Sequence, residues 1–246
     1  MGTIVIVGAT SGIGSAAAGE LARAGFDLVL AGRNMERLTR LGSDLAIRFG
    51  VRTECLAYDA LEEGAGVRLY ERVAGLCDPE GLLVMHGVLP DPAEVNRDPA
   101  AARRCVGVNY LSVVELVIPF ANFFEERKRG WIAVAGSVAG DRGRKSNYLY
   151  GSTKGALDVY LQGLRGRLAP QGVHVLTIKP GLVDTAMTAH MEGPARRIMG
   201  SPERAARDIV RAIRRRRKVL YTPFYWKYVM LAVRLIPEAL FCKLNY

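Results

Sequence analysis

The sequence predicts an α/β fold in which a doubly wound parallel sheet of about seven strands is covered by helices on both faces. Short runs rich in β-branched residues alternate with longer stretches of helical pattern, and this alternation builds parallel sheets. A glycine-rich loop separates the first such run from the first helical stretch. The 246 residues are 50% hydrophobic and 24% charged, as in ordinary globular proteins. We therefore expect one domain over residues 1–246.

Each element is predicted from its local pattern. Runs of β-branched and aromatic residues predict strands at 3–7, 27–31, 52–57, 81–85, 130–136, 173–179 and 218–222. Apolar residues at helical spacing predict helices near 13–24, 34–49, 62–75, 99–128, 148–169 and 202–216. Pro119 falls inside the longest of these helices and predicts a kink, because proline lacks the amide hydrogen that a helix needs.

The net charge of +10 lies almost entirely in a C-terminal extension. Residues 201–246 hold 11 Lys and Arg against 3 Asp and Glu, which leaves 23 against 21 in the first 200 residues. Such a local imbalance indicates an anionic partner for that segment rather than a generally basic protein. The four cysteines are widely spaced and the sequence starts without a signal-peptide pattern, so a reducing, cytoplasmic setting and no bound metal are expected.

The loop "GATSGIG" has the features of a dinucleotide-binding turn. Its glycines let the backbone turn and approach a phosphate closely, and the amides at a helix start attract that phosphate. Three glycines alone are weak evidence, but their position between a strand and a helix strengthens it. The cofactor contacts predicted in this loop are Gly8, Thr10, Ser11, Gly12, Ile13 and Gly14.

The end of the second predicted strand indicates which dinucleotide binds. An acidic residue usually stands there in NAD sites, whereas this chain reads Ala31-Gly32-Arg33-Asn34. Arg33 can pair with a 2′-phosphate, so NADP(H) is the expected cofactor with Arg33 and Asn34 beside it. The alternative interpretation of Arg33 is a solvated surface arginine. Asp59 is either an acceptor for the adenine amino group or an ordinary turn residue.

Two segments in the second half of the chain place reactive side chains near one another. Ser137 follows the fifth predicted strand, and ligands of open α/β sheets bind at the carboxyl ends of strands. Tyr150 and Lys154 share a helix face because they are four residues apart. An ammonium group beside the phenol would lower the pKa of Tyr150 from about 10 and equip it for proton transfer. A lone pair of this kind is more simply a surface feature, but the serine and the glycine loop argue against that interpretation.

Taken in order, "GATSGIG", "VNYLS", "GSVAG", "YGSTK" and "KPGLVDT" resemble the short-chain dehydrogenase/reductase family over essentially the whole chain. The resemblance implies a single Rossmann-type domain with Tyr150 as the acid/base. It also implies that Ser137 binds the substrate oxygen and that Lys154 holds the ribose. Asn109 would complete the tetrad by positioning a proton-relay water. Around the nicotinamide carboxamide the implied contacts are Pro180, Gly181, Val183 and Thr185.

The chain departs from the family pattern after the fourth strand, where N-N-A-G is replaced by "VMHG". His86 then faces the cofactor cleft, either as a substrate contact or as an imidazole satisfied by local hydrogen bonds. The loop "DRGRKSN" puts Arg142 and Arg144 near the mouth of the site, where they would meet a substrate phosphate or remain solvated. Tyr148 is expected beside the substrate cleft without a role in proton transfer.

The C-terminal extension joins a basic helix to an aromatic segment. Four arginines at 214–217 precede five aromatic residues at 221–228, and the next apolar run is too short to span a bilayer. Aromatic residues beside arginines predict peripheral contact of residues 214–246 with an anionic membrane surface. The alternatives are a subunit interface or a cover over the substrate pocket. Nucleic acid is not expected, because no reading module accompanies the arginines.

Within the family, "GDRGRKSNYLYGSTKGALD" and "LYTPFYWKYVMLAVRLIPEALFCKL" are most similar to decaprenylphosphoryl-2-keto-ribose reductases. That similarity implies NADPH-dependent reduction of a 2-keto polyprenylphosphoryl pentose to its arabinose epimer, in cell wall arabinan biosynthesis. It further implies a partner oxidase for the preceding step and a homo-oligomer. One alternative is reduction of a 3-oxoacyl group on an acidic carrier protein or of another lipid-like ketone. The other is a cofactor-binding scaffold without turnover.

Overall fold

The computed structural model describes residues 2–189, 193, 196 and 198–244. One sheet of seven strands forms its centre, in the order β3-β2-β1-β4-β5-β6-β7, and every neighbouring pair is parallel. The strands are β1 (Thr3–Val7), β2 (Asp27–Gly32), β3 (Thr53–Ala57), β4 (Pro79–Val84), β5 (Trp131–Ala135), β6 (His174–Pro180) and β7 (Val219–Thr222). The predicted parallel sheet is confirmed, and every strand boundary lies within two residues of its predicted position.

Helices cover both faces of this sheet. They are α1 (Gly12–Arg23), α2 (Met35–Phe49), α3 (Ala65–Leu76), α4 (Pro92–Val95), α5 (Pro99–Val106), α6 (Ser112–Arg127), α7 (Tyr148–Leu168), α8 (Pro202–Arg214), α9 (Trp226–Leu235) and α10 (Glu238–Phe241). The strand order reverses between β1 and β4, which opens a crevice at the carboxyl ends of the strands. Ligands of such sheets bind in that crevice, so the fold itself locates the site.

The core has two layers because successive strand residues point to opposite faces of the sheet. In β1, Ile4 and Ile6 pack with α1, α2 and α8, whereas Val5 and Val7 pack with α3, α6 and α7. All four side chains have no exposed area. A run of this kind, apolar at every position, is typical of a parallel strand covered on both sides.

The predicted helix at 99–128 is interrupted, and the interruption is not where proline stands. A turn of π-helix, Gly107–Leu111, joins α5 to α6, and α6 continues past Pro119 to Arg127. The extra residue of a π turn changes the direction in which a side chain leaves the helix. Here it places Asn109, which is fully buried, toward the loop after β4.

The stretch Pro99–Arg127 is also long and apolar enough to cross a membrane by length and composition alone. Leu116, Val117 and Phe120, however, have no exposed area and pack in the core against α3 and α7. The apolar character of this stretch is therefore explained by its place in the core.

The C-terminal extension is divided by β7. The basic run 214–217 precedes this strand and lies at the amino edge of the sheet, where Arg216 donates to the carbonyl of Gly172 at 2.6 Å. Of the five aromatic residues, Tyr221 lies within the strand, and the other four come after it at the carboxyl edge. A strand of four residues is about 13 Å long. The basic run and the aromatic residues after β7 thus lie at opposite ends of this strand, and contact of residues 214–246 with an anionic membrane stays a prediction.

Candidate active site

The glycine loop between β1 and α1 depends on glycine at two positions. Gly8 has a φ of +80°, a left-handed conformation that glycine adopts without strain. A Cβ at Gly14 would overlap the carbonyl oxygen of Gly8 and lie 2.6 Å from the Oγ of Ser11. Ser11 caps α1 by accepting a hydrogen bond from the amide of Gly14 at 3.1 Å. The loop and the amides at the start of α1 together form a cradle for an anion.

Two adjoining hollows form a cleft at the carboxyl edge of the sheet, with volumes of about 470 Å³ and about 720 Å³. The predicted residues that line the first are Thr10, Ser11, Gly12, Ile13, His86, Ser137, Tyr150, Lys154, Pro180, Gly181, Val183 and Thr185. Those that line the second are Gly8, Thr10, Ser11, Arg33, Asn34, Asp59 and His86. The cleft therefore joins the glycine loop to the serine, tyrosine and lysine. Gly14 lines neither hollow, because it lies behind Gly8.

The end of β2 presents cations to the second hollow. Arg33 lines this hollow and forms no ion pair or side-chain hydrogen bond with another described residue. Asn34 caps α2 by accepting from the amide of Arg37 at 2.9 Å, so its side chain serves the fold. Arg37 lines both hollows and was not among the predicted site residues. Its position four residues after Arg33, in the first turn of α2, is the signal that could have found it.

Asp59 occupies a turn and also lines the second hollow. Its Oδ1 accepts a hydrogen bond from the amide of Leu61 at 3.0 Å, which is the turn geometry expected for aspartate. The same hollow is lined by Arg33. Contact with the adenine amino group stays a prediction.

Ser137 and Tyr150 meet at the wall of the first hollow. Ser137 follows β5, and its Oγ accepts from the amide of Ala139 at 3.1 Å while its side chain also hydrogen-bonds Tyr150. Burial raises the pKa of Tyr150 above its ordinary value of 10.0, and the hydrogen bond with Ser137 opposes this rise. The expected lowering of the pKa by Lys154 is wrong for this structure. The Nζ of Lys154 is 5.9 Å from the tyrosine ring centroid, and burial rather than Lys154 sets the direction of the shift in the pKa of Tyr150.

Lys154 is a buried cation held against β5. Its Nζ donates a hydrogen bond to the carbonyl of Ala135 at 3.0 Å, and the residue is 3% exposed. Burial lowers the pKa of Lys154 to about 8, and the negative charges that Cys105 and Asp158 can carry oppose the fall. Because neutral pH is only slightly below this pKa, Lys154 is mostly in its ammonium form there.

Asn109 forms two hydrogen bonds with the loop after β4. Its Oδ1 accepts from the amide of Val88 at 2.9 Å, and its Nδ2 donates to the carbonyl of Val88 at 2.9 Å. These two bonds hold the loop beside Gly87, where an added Cβ would lie 3.0 Å from Oδ1 of Asn109 and 3.4 Å from Nζ of Lys154. The side chain of Asn109 thus fixes the backbone of this loop beside Lys154. The role of Asn109 in holding a relay water stays a prediction.

Among the described residues, only one ring nitrogen of His86, Nε2, has a hydrogen-bond partner. Ser112 donates its hydroxyl hydrogen to the carbonyl of Val108 at 2.8 Å, so its oxygen accepts from Nε2 of His86 at 2.9 Å. The ring also packs against Tyr58, with centroids 5.4 Å apart. Burial lowers the pKa of His86 to about 3, and the charge of Lys154 adds to this effect. The local hydrogen bond favours the structural interpretation of His86, although the residue lines both hollows.

Arg142 lines neither hollow and is held by the C-terminal segment, so its contact with a substrate phosphate stays a prediction. Its guanidinium group donates to the carbonyls of Val233 and Ile236, each at 2.6 Å, and pairs with Glu238 at 2.8 Å. It also lies 3.8 Å above the centroid of the Phe241 ring. Carbonyls at a helix end lack partners within the helix, and a cation there is stabilising. Arg142 therefore fastens α9 and α10 to the loop after Ser137.

The other two predicted substrate contacts differ in position. The positive charge of Arg144 lowers the pKa of Tyr150, which places this guanidinium near the site. Tyr148 is 51% exposed and lines neither hollow. Because it begins α7 two residues before Tyr150, its side chain points away from the tyrosine–lysine face. Tyr148 is therefore a surface residue next to the site.

Trp226, which was not among the predicted site residues, connects the C-terminal segment to the cleft. The indole packs directly on Gly181, where an added Cβ would overlap the ring. It belongs to an apolar cluster with Val138, Met230 and Val233 that covers the carboxyl edge beside the first hollow. This packing favours the interpretation of the extension as a cover next to the pocket. Gly181 has no side chain and follows a proline, and this is the sequence feature that could have indicated a closely packed neighbour.

Comparisons with known proteins agree with this geometry. The chain matches the short chain dehydrogenase family over residues 2–194. It is 34% identical over 239 residues to an uncharacterized oxidoreductase of Mycobacterium tuberculosis (strain ATCC 25618 / H37Rv), covering 96% of this chain and 94% of that protein. It is 27% identical over 186 residues to a 3-oxoacyl-acyl-carrier-protein reductase of Aquifex aeolicus (strain VF5), covering 75% of each. A solved short-chain dehydrogenase from Sphingobium yanoikuyae in complex with NADPH has a TM-score of 0.85 and 25% identity, covering 97% of this chain and 98% of that one.

Proposed function

Because the chain belongs to the short-chain dehydrogenase family, it is an NAD(P)-dependent oxidoreductase, and we propose that it reduces a ketone with NADPH. The observation that carries this proposal is the meeting of Ser137, Tyr150 and Lys154 at the wall of the cleft that starts at the glycine loop. These three groups can bind a carbonyl oxygen, donate a proton to it and stabilise the resulting charge.

The cleft fits a dinucleotide that carries a 2′-phosphate. The glycine cradle and the amides of α1 offer a site for the linking phosphates. Arg33 and Arg37 offer two guanidinium groups, and residues 31–34 contain no carboxylate to repel a phosphate. The NADPH in the similar Sphingobium yanoikuyae structure supports the same choice of cofactor.

The acid–base chemistry depends on the burial of Tyr150. When bound, the reduced nicotinamide supplies the hydride that turns the carbonyl carbon of the substrate into an alcohol carbon. The raised pKa of Tyr150 keeps the phenol protonated at neutral pH, so the phenol can donate its proton to the developing alkoxide oxygen. Ser137 holds that oxygen through its hydroxyl group. The ammonium group of Lys154 stabilises the negative charge left on the phenol oxygen.

For the substrate, we propose the 2-keto group of a pentose linked to a polyprenyl phosphate. An apolar stripe formed by Phe224, Tyr228, Leu231 and Leu235 lies on the exposed side of α9 and the turn before it. These side chains are 64%, 62%, 54% and 74% exposed, and their spacing puts them on one helix side. The opposite side of α9 packs beside the pocket through Trp226. A polyprenyl chain would find apolar surface here, with Arg144 as the nearby cation for its phosphate.

A 3-oxoacyl group on a carrier protein is the second candidate substrate. The similarity to the reductase of Aquifex aeolicus favours it, because that protein is named for this activity. The basic surface of α8 would suit an acidic carrier. The two candidates differ in the group attached beside the ketone, since one carries a sugar phosphate and the other a thioester.

Turnover of the two candidates by the purified protein tests the proposal. We expect NADPH oxidation with a 2-keto pentose polyprenyl phosphate at a kcat/KM at least about tenfold above that for an oxoacyl thioester. The same keto pentose phosphate on a short alkyl chain is the matched control, and it should show a higher KM. A preference for the thioester would establish the second candidate. Absence of turnover with every ketone would contradict the reductase proposal itself.

The proposed substrate has consequences for partners. A 2-keto pentose must come from oxidation of the corresponding secondary alcohol, so an oxidase should precede this enzyme. We also propose a homo-oligomer, since α6 and α7 leave Ile118 and Val159 exposed by 47% and 71% on the outer layer. Exposed apolar residues on neighbouring helices are a common basis for subunit contact.

We further propose that the apolar stripe rests on an anionic membrane surface. Lys227 and Arg234 flank it, and apolar residues between cations favour the interfacial region of such membranes. The basic run 214–217 is at the other end of β7 and belongs to a separate surface. We therefore propose residues 223–244 as the segment that contacts the membrane.

Liposome flotation tests the membrane contact. We expect the protein to float with anionic vesicles at low salt and to float less at high salt, because salt screens the cations. Replacing Tyr228, Leu231 and Leu235 together with serine should abolish flotation. Ile47→Ser with Leu76→Ser removes residues that are 84% and 52% exposed elsewhere, and this control should float like the unaltered chain. Equal flotation of both variants would exclude the stripe as the contact.

A further inference from the structure

Helix α7 carries a third ionisable residue in line with Tyr150 and Lys154. Asp158 comes four residues after Lys154 and therefore lies one turn further along the same helix face. It is 7% exposed, and nothing in the proton transfer described above uses it. A carboxylate buried this deeply needs compensating charge or hydrogen bonds.

The carboxylate of Asp158 is held by a lysine from the sheet. Its Oδ2 lies 2.6 Å from the Nζ of Lys179 at the end of β6, and Lys179 also pairs with Asp141. Tyr221 of β7 donates its hydroxyl hydrogen to the Oδ2 of Asp141 at 2.8 Å. The side chains of Lys179, Asp158 and Asp141 are 11%, 10% and 2% exposed. Side chains from β6, β7 and the loop after β5 thus fix the position of Asp158.

The second oxygen of Asp158 faces the end of β5 to which Lys154 is bonded. Oδ1 is buried and has no hydrogen-bond partner among the described residues. An added Cβ at Gly136 would lie 3.4 Å from this oxygen, and the preceding residue, Ala135, accepts the hydrogen bond from Lys154. The negative charge of Asp158 raises the pKa of Lys154 against the effect of burial. The two side chains therefore act on each other through space.

Among the described residues, the other titratable groups near Lys154 supply no negative charge at neutral pH. Burial raises the pKa of the Cys105 thiol, and it also raises the pKa of Tyr150, so both groups are neutral there. Burial lowers the pKa of His86 to about 3, which keeps the imidazole neutral as well. Around Asp158, the facing groups are Lys179, Asp141, Tyr221 and Arg165. Burial raises the pKa of Asp158, and the hydrogen bond and charge of Lys179 oppose this rise. With Lys179 in place, Asp158 is the carboxylate that balances the buried charge of Lys154.

We propose that Asp158 is a positioning residue that keeps Lys154 in its ammonium form, with Lys179 and Asp141 holding its carboxylate in place. The inference rests on the proposed function, in which Lys154 must be charged to stabilise the phenolate. Without the charge of Asp158, Lys179 would keep its pairing with Asp141, and Lys154 would become a buried cation without a carboxylate. Such a cation loses its proton at lower pH.

The test measures the titration of Lys154 directly, without substrate. In protein labelled with ¹³C-lysine, the Cε resonance that disappears in Lys154→Met reports the pKa of this side chain. We expect Asp158→Asn to lower that pKa by about one unit, which is the scale for loss of a unit charge one helical turn away. Asp141→Asn is the matched control, since it also removes a carboxylate from Lys179 but leaves Asp158 charged. It should leave the pKa of Lys154 unchanged or slightly lower.

The pH dependence of ketone reduction is a second measurement, and it separates failure of this inference from failure of the proposed function. The alkaline limb of kcat/KM for reduction should move down by about one pH unit in Asp158→Asn and return in Asp158→Glu, which restores the charge. Lys179→Gln should also lower the pKa of Lys154, because Lys179 opposes the rise that burial causes in the pKa of Asp158 and its loss favours the neutral carboxyl. This variant serves if Asp158→Asn does not fold. Equal pKa values of Lys154 in Asp158→Asn, Lys179→Gln and the unaltered chain would overturn the inference. A protein that shows the expected titration but reduces no ketone would instead contradict the proposed function.

Discussion

Tyr150→Phe should lower kcat for ketone reduction by about 1,000-fold, within the range that general acids contribute, and leave NADPH binding within about twofold. The substitution removes only the phenol oxygen, which donates the proton in the proposed reaction. The ring of Tyr150, the hydrogen bond of Lys154 to Ala135 and the glycine cradle all remain. The loss should therefore fall on kcat rather than on cofactor binding.

Single-turnover kinetics and NADPH fluorescence titration separate these two effects. Tyr148→Phe is the matched control, because it removes the same oxygen two residues earlier on the same helix. Tyr148 is 51% exposed and lines neither hollow, so its variant should keep at least about half of the activity. The comparison isolates the position of the hydroxyl group from the general effect of removing one.

The same variant decides between an enzyme and a scaffold that binds NADPH without turnover. If the protein acts as a scaffold, Tyr150→Phe should leave its cellular role intact, because the cofactor site is unaltered. If Tyr150→Phe retained more than about a tenth of the unaltered kcat, the phenol could not be the principal proton donor. Ser137→Ala would then be the next variant, since its hydroxyl group hydrogen-bonds Tyr150 and lines the same hollow.

The sheet and the cleft could be predicted because their signals are local. Each strand is a short apolar run, and each run had its structural counterpart within two residues. Ser137, Tyr150 and Lys154 could be placed together because one comes after a strand and the others share a helix face. Residues that act through sequence neighbours and regular spacing were therefore found from the sequence.

The role of Arg142 depends on distant residues and could not be predicted in this way. Its partners Val233 and Ile236 are 91 and 94 positions away. Position near the site suggested a substrate phosphate, whereas packing of the C-terminal segment gave the guanidinium group three other acceptors. The contact of Trp226 with Gly181 has the same cause, since it arises only when β7 delivers α9 to the carboxyl edge.

The pKa of Tyr150 shows where a correct placement gave a wrong electrostatic expectation. The sequence places a lysine one turn away, which alone would lower the pKa of the phenol. It gives no measure of how far each group is removed from water. In the structure burial dominates for both groups, so the pKa of Tyr150 rises while that of Lys154 falls to about 8. A neutral phenol is the form that can donate a proton to a ketone at neutral pH.

Arg33→Ala combined with Arg37→Ala should weaken NADPH binding by at least about 100-fold, because each guanidinium group makes charge-assisted contacts worth about 1.5–3 kcal/mol. Both side chains line the second hollow at the end of β2. NADH lacks the 2′-phosphate, so its binding should change by less than about threefold. The expected result is a change in cofactor preference rather than a loss of the site.

Fluorescence titration with NADPH and NADH, for the single and double variants, measures this preference. Arg40→Ala is the control on the same helix, since Arg40 pairs with Glu36 and lines neither hollow. The contribution of Arg37 is the sharper part of the test, because the structure and not the sequence placed it in the cleft. A loss confined to Arg33→Ala would mean that Arg37 faces the hollow without touching the phosphate. Equal losses for NADPH and NADH in the double variant would mean that the two arginines support α2 and the second hollow rather than select the cofactor.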